Sequence, residues 1–123
     1  MRDGRVASAQ LRDEGILTFY ELINTAQPGL KPVQKLHAVG TAYYGRRSVG
    51  VTRLYAAAGA NRSIDVLVRC YNTPEAPETA EYAILENGKQ YRIDAVQEQP
   101  ELDAIDLTLV RLEALYDVIA ETD

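Results

Sequence analysis

The stretch that most constrains this chain runs from Glu81-Tyr82-Ala83-Ile84-Leu85, through Glu86-Asn87-Gly88-Lys89, to Gln90-Tyr91-Arg92-Ile93-Asp94-Ala95-Val96. Two strand-length runs flank an Asn-Gly pair, and Asn-Gly supplies the positive φ angles that a tight reversal needs. The segment therefore predicts a β-hairpin.

Further strand-length runs lie on both sides of it. Ile16 to Ile23 is rich in aromatic and β-branched residues and ends at the turn-forming stretch Asn24 to Pro32. Val33 to Tyr44 fits a second strand, with Leu36, Ala38, Gly40 and Ala42 on one face and His37, Val39, Thr41 and Tyr43 on the other. Ile64 to Tyr71 alternates Ile64, Val66, Val68 and Cys70 with Asp65, Leu67, Arg69 and Tyr71. Ile105 to Leu112 alternates again and reads as the last core strand. The stretch from Val110 to Ile119 is compatible with strand or helix, and strand is preferred.

Breaks separate these runs. Thr73 to Thr79 carries Pro74 and Pro77, which exclude it from a central strand, and Gln99-Pro100-Glu101 interrupts the chain once more. Between Gly45 and Gly59 the period changes, because Val51, Leu54, Tyr55 and Ala58 fall at helical spacing and predict one short helix. The expected fold is mainly β with a minor α contribution. It is a small antiparallel β-barrel or sandwich of five to six strands with one short helix.

At 123 residues the chain suits one domain spanning 1–123, since two cores would each be too small to offset chain entropy. Residues 1–15 are polar and lack alternation, so they are expected to form a mobile or partner-dependent arm ahead of a core at 16–118. There is no run of about 18 apolar residues and no apolar segment after Met1 to Arg5, so a cytoplasmic site without membrane insertion is expected.

Charge is distributed unevenly. Residues 1–62 carry nine Lys and Arg against four acids, whereas residues 63–123 carry four against fourteen. The halves therefore bear net charges of plus 5 and minus 10, within a chain total of minus 5. Such halves can fold against each other, or the basic surface of one copy can dock on the acidic surface of the next.

Catalytic chemistry finds no positive sign. His37 is the only histidine and Cys70 the only cysteine, and Cys70 falls in an alternating strand, where a small buried side chain is the expected role. No phosphate-cradling glycine loop, His-Glu-x-x-His or Cys-x-x-Cys occurs. Glu101, Asp103 and Asp106 lack the spacing and the central glycine of a cation loop, so no catalytic residue, cofactor or metal is expected. The cluster Tyr43-Tyr44-Gly45-Arg46-Arg47, extended by Lys31, Lys35 and Arg53, offers rings and cations suited to phosphates. It supports an alternative reading as a small β-barrel nucleic-acid-binding module.

The order of Phe19-Tyr20-Glu21-Leu22, Ala42-Tyr43-Tyr44-Gly45, Val66-Leu67-Val68-Arg69, Tyr91-Arg92-Ile93-Asp94 and Leu107-Thr108-Leu109 resembles the head-tail joining (head-closure, stopper or adaptor) proteins of tailed bacteriophages. The resemblance spans about residues 17 to 115. It implies a small β-barrel that assembles as a hexameric or dodecameric ring at the virion neck, after synthesis in the host cytoplasm. The portal or an adaptor would lie above it, the tail or a tail terminator below, and double-stranded DNA would pass through the channel.

No catalytic residue transfers from that family. The segment after the second strand projects into the ring lumen in some members, which here makes Arg46, Arg47, Arg53, Tyr55 and Arg62 the candidate channel or inter-subunit residues. The alanine-rich run Ala56 to Ala60 departs from the pattern there, so the gating role is open to another loop. Lys31, Lys35, Glu75 and Glu78, on or beside the extended loops at 24–33 and 72–80, are the candidate interface residues. Heterologous ring contacts need two different patches, and oppositely charged halves provide them.

Overall fold

A computed structural model describes residues 15–47 and 66–120. The strands are β1 Gly15–Asn24, β2 Gln34–Arg47, β3 Val66–Tyr71, β4 Tyr82–Ile84, β5 Gln90–Gln99, β6 Ala104–Arg111 and β7 Asp117–Val118. A single 3-10 turn, Pro100–Leu102, joins β5 to β6. The helix expected after Gly45 lies outside the described residues.

β1, β4, β5, β6, β3 and β2 pair in that order, and β2 returns to β1, so six antiparallel strands close into a ring. Closure leaves no fully open sheet edge, which answers the edge problem of an antiparallel sheet. β7 stands apart, pairing in parallel with Lys35 and Leu36 of β2. The expected small antiparallel barrel is the observed architecture, with one strand more than expected.

Alternation fills the barrel. Leu17, Phe19, Ala42, Tyr44, Val66, Val68, Cys70, Ala83, Tyr91, Ile105, Leu107 and Leu109 form one buried cluster with Leu85. Burying Leu or Phe side chains of this kind stabilises by about 1.5–3 kcal/mol each.

Two bulges break the alternation. Phe19 pairs with Gly40 and Tyr20 with Ala38, leaving Val39 as the extra residue on β2. Beyond it the inward and outward faces exchange, so Leu36 lies on the opposite face from Ala42 and Tyr44. The strict two-face assignment made from sequence for Val33 to Tyr44 is corrected accordingly. On β5, Ile93 pairs with Leu109 and Ala95 with Thr108, which makes Asp94 the extra residue there.

The hairpin forms, with a turn unlike the one expected. Gly88 N donates to Leu85 O at 2.8 Å, so Glu86 and Asn87 are the central turn residues. Gly88 alone takes a positive φ, at 82°, while Asn87 uses its side chain to accept from Lys89 N at 2.9 Å. Glu86 then ties the turn to two other strands, because its carboxylate accepts from Ile16 N at 2.8 Å and its N–H donates to the Tyr44 hydroxyl at 3.2 Å.

The region after β6 is neither one strand nor a helix. Residues 112–116 are irregular and cross the outside of the barrel as a strap. Gln90, itself buried, donates through Nε2 to Tyr116 O at 2.8 Å and accepts from Tyr116 N at 3.0 Å. The Tyr116 ring meets Tyr82 edge-on, with centroids 5.5 Å apart, and Ile119 N donates to Leu36 O. This outer packing accounts for a fully buried Leu36 that is no part of the inner cluster.

Candidate functional surfaces at the barrel ends

Antiparallel order around the ring sorts the charges by barrel end. One end gathers the close of β2, the start of β3, the β4–β5 turn and the close of β6, and with them Arg46, Arg47, Lys89 and Arg111. Among the described residues, Glu86 and Glu113 are the acids that oppose them there. The other end gathers the β1–β2 loop, the β3–β4 connection and the β5–β6 turn. It carries Glu75, Glu78, Glu81, Glu98, Glu101 and Asp103 against Lys31 and Lys35.

This changes the charge asymmetry inferred from the two sequence halves. Lys35 and Arg46 lie at opposite ends of the same strand, roughly 35 Å apart along it at about 3.3 Å per residue, so Lys31 and Lys35 cannot extend the Arg46-Arg47 cluster. Among the described residues the polarity runs from end to end along the barrel. It does not divide the first half of the chain from the second.

Arg46 and Arg47 are strand residues, in register with Val68 and Leu67, and both are exposed. The expected loop of lumen residues therefore begins after them. Arg53, Tyr55 and Arg62 lie outside the described residues. Lys31 is exposed in the β1–β2 loop, and Lys35 pairs in register with Asp117.

The β1–β2 loop is braced internally. Asn24 Oδ1 accepts from Ala26 N at 3.0 Å and Val33 N at 2.9 Å, and Thr25 N donates to Val33 O at 2.8 Å. Such bracing holds Leu30, 63% exposed, out at its tip.

The β3–β4 connection instead lies against the barrel. Ala76 and Ala80 pack on the core, and a Cβ at Gly40 would stand 3.2 Å from Pro77 Cγ, so a side chain there would crowd the segment. Glu21 accepts from His37 Nδ1 at 2.7 Å. That bond, with a second from Thr79, lowers the Glu21 pKa and ties the segment to the β1–β2 pair. Glu75 and Glu78 stand on its exposed side and, with Glu98, Val96, Phe19 and Thr73, line an open cleft of about 880 Å³.

The groups that sequence singles out for chemistry are occupied structurally. Burial pushes the Cys70 thiol up to about 12, so it stays protonated. Arg69 donates to Asp106 from Nε at 2.7 Å and from Nη2 at 3.0 Å, and Gln99 adds a bond at 3.3 Å. The Arg69 hydrogen bonds hold the Asp106 carboxyl below its usual pKa against the opposing effect of burial, helped by the charge of Arg47. Asp106 is thus an ion-pair residue. Among the described residues, no group of three His, Cys, Asp or Glu is placed to hold a metal.

Val96 and Glu98 are the surface residues that sequence reasoning missed. Continuing the Tyr91 and Ile93 alternation would turn Ala95 inward, but the Asp94 bulge gives that face to Val96 and Glu98. No local signal marks a bulge at Asp94. Compared with protein-family models, with curated proteins and with solved structures, the chain matches none.

Proposed function

We propose that this chain is a structural head-tail connector component of a tailed phage or prophage, which assembles as a hexameric or dodecameric ring under the portal, closes the DNA channel and docks the tail. The observation that carries this reading is the end-to-end charge polarity of a closed six-stranded barrel with loops at both ends. A heterologous ring contact joins two unlike patches, and a basic end with an acidic end supplies such a pair. The order of aromatic and strand motifs from Phe19 to Leu109 supports the same reading by its resemblance to joining proteins. No catalysis, cofactor or metal belongs to it.

Within this reading Arg46 and Arg47 face a neighbour or the channel, and the braced β1–β2 loop with Lys31 reaches an adjoining copy. Deleting the gene in the phage or lysogen that carries it tests the proposal. DNA-filled heads that fail to join tails are expected, whereas normal yields of joined particles contradict it.

A second reading, a nucleic-acid-binding barrel, draws on Arg46, Arg47, Lys89 and Arg111 collecting at one end. Replacing Arg46 and Arg47 by Ala discriminates the two. A nucleic-acid module loses affinity for nucleic acid and about two units of salt slope, while a connector that docks its basic end on an acidic neighbour loses ring assembly.

A further inference from the structure

β5 is covered on its β4 side for only part of its length. β4 pairs with Gln90, Tyr91 and Arg92, and Ile93 N donates to Glu81 O at 2.9 Å. From Ala95 to Gln99, β5 is hydrogen-bonded to β6 alone, and no described segment bonds to its other edge. Natural sheets cover or blunt such an edge, because its unpaired N–H and C=O groups are a template for another strand.

The side chains on this stretch point the same way. Val96 is in register with Leu107 and Glu98 with Ile105, so both face the barrel's core side. Leu107 and Ile105 are fully buried, yet Val96 is 45% exposed. The core face of β5 is therefore open where β4 ends, and it opens into the cleft described above. Glu75 and Glu78 on the facing segment, together with Glu98, make its rim anionic.

We propose that this cleft docks an extended, arginine- or lysine-bearing segment of a partner protein, which joins the open edge of β5 as a further strand, packs an apolar side chain on Val96 and pairs its cations with Glu75, Glu78 and Glu98. Strand addition supplies main-chain hydrogen bonds, and the alternate side chains supply selectivity. Nucleic acid is disfavoured by three carboxylates at the rim. The inference rests on the cleft alone and holds whether or not the chain forms a ring.

The probe is an acetylated and amidated heptapeptide alternating Arg and Val, titrated into the full-length protein while its backbone amides are followed by NMR. Controls are the Glu-Val counterpart and an Arg-Pro peptide, which keeps the charge but cannot pair along a strand edge. Saturable shifts centred on residues 95–99 and 73–80 are expected, with slowed hydrogen exchange in 95–99. Both controls, and the protein variant E75Q/E78Q/E98Q, should bind at least tenfold more weakly. Val96→Lys, at an exposed position, should do the same without altering the spectrum elsewhere. Equal binding of the Arg-Pro peptide, shifts centred on another surface, or no saturable binding would overturn the proposal. Peptide-free self-association mapping to the same amides would overturn it in favour of a second copy of the chain.

Discussion

Val96 and Leu107 stand opposite one another on the core side of the β5–β6 ladder, yet Leu107 is fully buried and Val96 is 45% exposed. The pair marks where the barrel wall stops being double-sided. It also gives a direct contrast in energetics. Leu107→Ala should cost about 2–5 kcal/mol, because it leaves a cavity in packed surroundings, whereas Val96→Ala should cost under about 1 kcal/mol. Urea unfolding of the two variants measures both, and comparable losses would contradict the open face.

Among the described residues Arg69 and Asp106 form the best-placed ion pair, directly opposed across β3 and β6 with side chains only 14% and 11% exposed. Asp106→Asn should destabilise by about 2 kcal/mol, since it strips the carboxylate from a poorly solvated guanidinium. The pH dependence has a definite sign. The folded pKa of Asp106 is depressed, so its contribution is complete above the ordinary carboxylate range and is lost as pH falls through the folded value. Stability of the Asn variant should fall less steeply on acidification than that of the native chain. Parallel acid limbs in the two unfolding profiles would remove Asp106 from the acid response.

Cys70 is fully buried with its thiol pushed up to about 12. Reaction with a disulfide reagent at neutral pH requires the thiolate and access to it. Labelling of the native protein should therefore track unfolding and become rapid in denaturant. Labelling as fast in native buffer as in denaturant would show that the barrel interior is not closed.

Beside the Tyr82 ring contact and the β7 pairing, the strap outside the barrel is tied down by the Gln90 side chain, which bonds both N–H and C=O of Tyr116. Gln90→Ala should cost about 1–3 kcal/mol by orphaning both groups and should speed hydrogen exchange at Ile119 N. Unchanged protection at Ile119 would mean that β7 holds the strap without Gln90.

Much of the barrel was legible in the sequence because period-two alternation is a direct consequence of a half-buried strand. The runs 16–23, 81–85 and 105–112 fall on β1, β4 and β6, and Pro74 and Pro77 kept their segment out of the sheet. What escaped was non-periodic. A bulge adds one residue without a composition signal, so the face exchange at Val39 and the inward turn of Val96 could not be counted. The two-residue β7 pairs with Lys35 and Leu36, and the strap before it is bonded to Gln90, long-range contacts that no local window contains.

Candidate surface residues were legible by type but not by place. Lys31, Lys35, Arg46 and Arg47 share a sequence half, yet the course of β2 sends them to opposite ends of the barrel. Glu98 joined Glu75 and Glu78 only because the ring brings β5 alongside the β3–β4 connection. Charge polarity along the axis is a property of topology, and the linear count approximated it only in sign.

Assembly through oppositely charged ends is tested most directly by measuring particle mass in solution at two salt concentrations. Between about 0.1 M and about 1 M salt the screening length falls from about 10 Å to about 3 Å, which weakens contacts between exposed charges. The account predicts a species of six or twelve times the 13.6 kDa chain mass at low salt that dissociates at high salt. A mass that stays the same at both concentrations, whether a single chain or an intact ring, would contradict it.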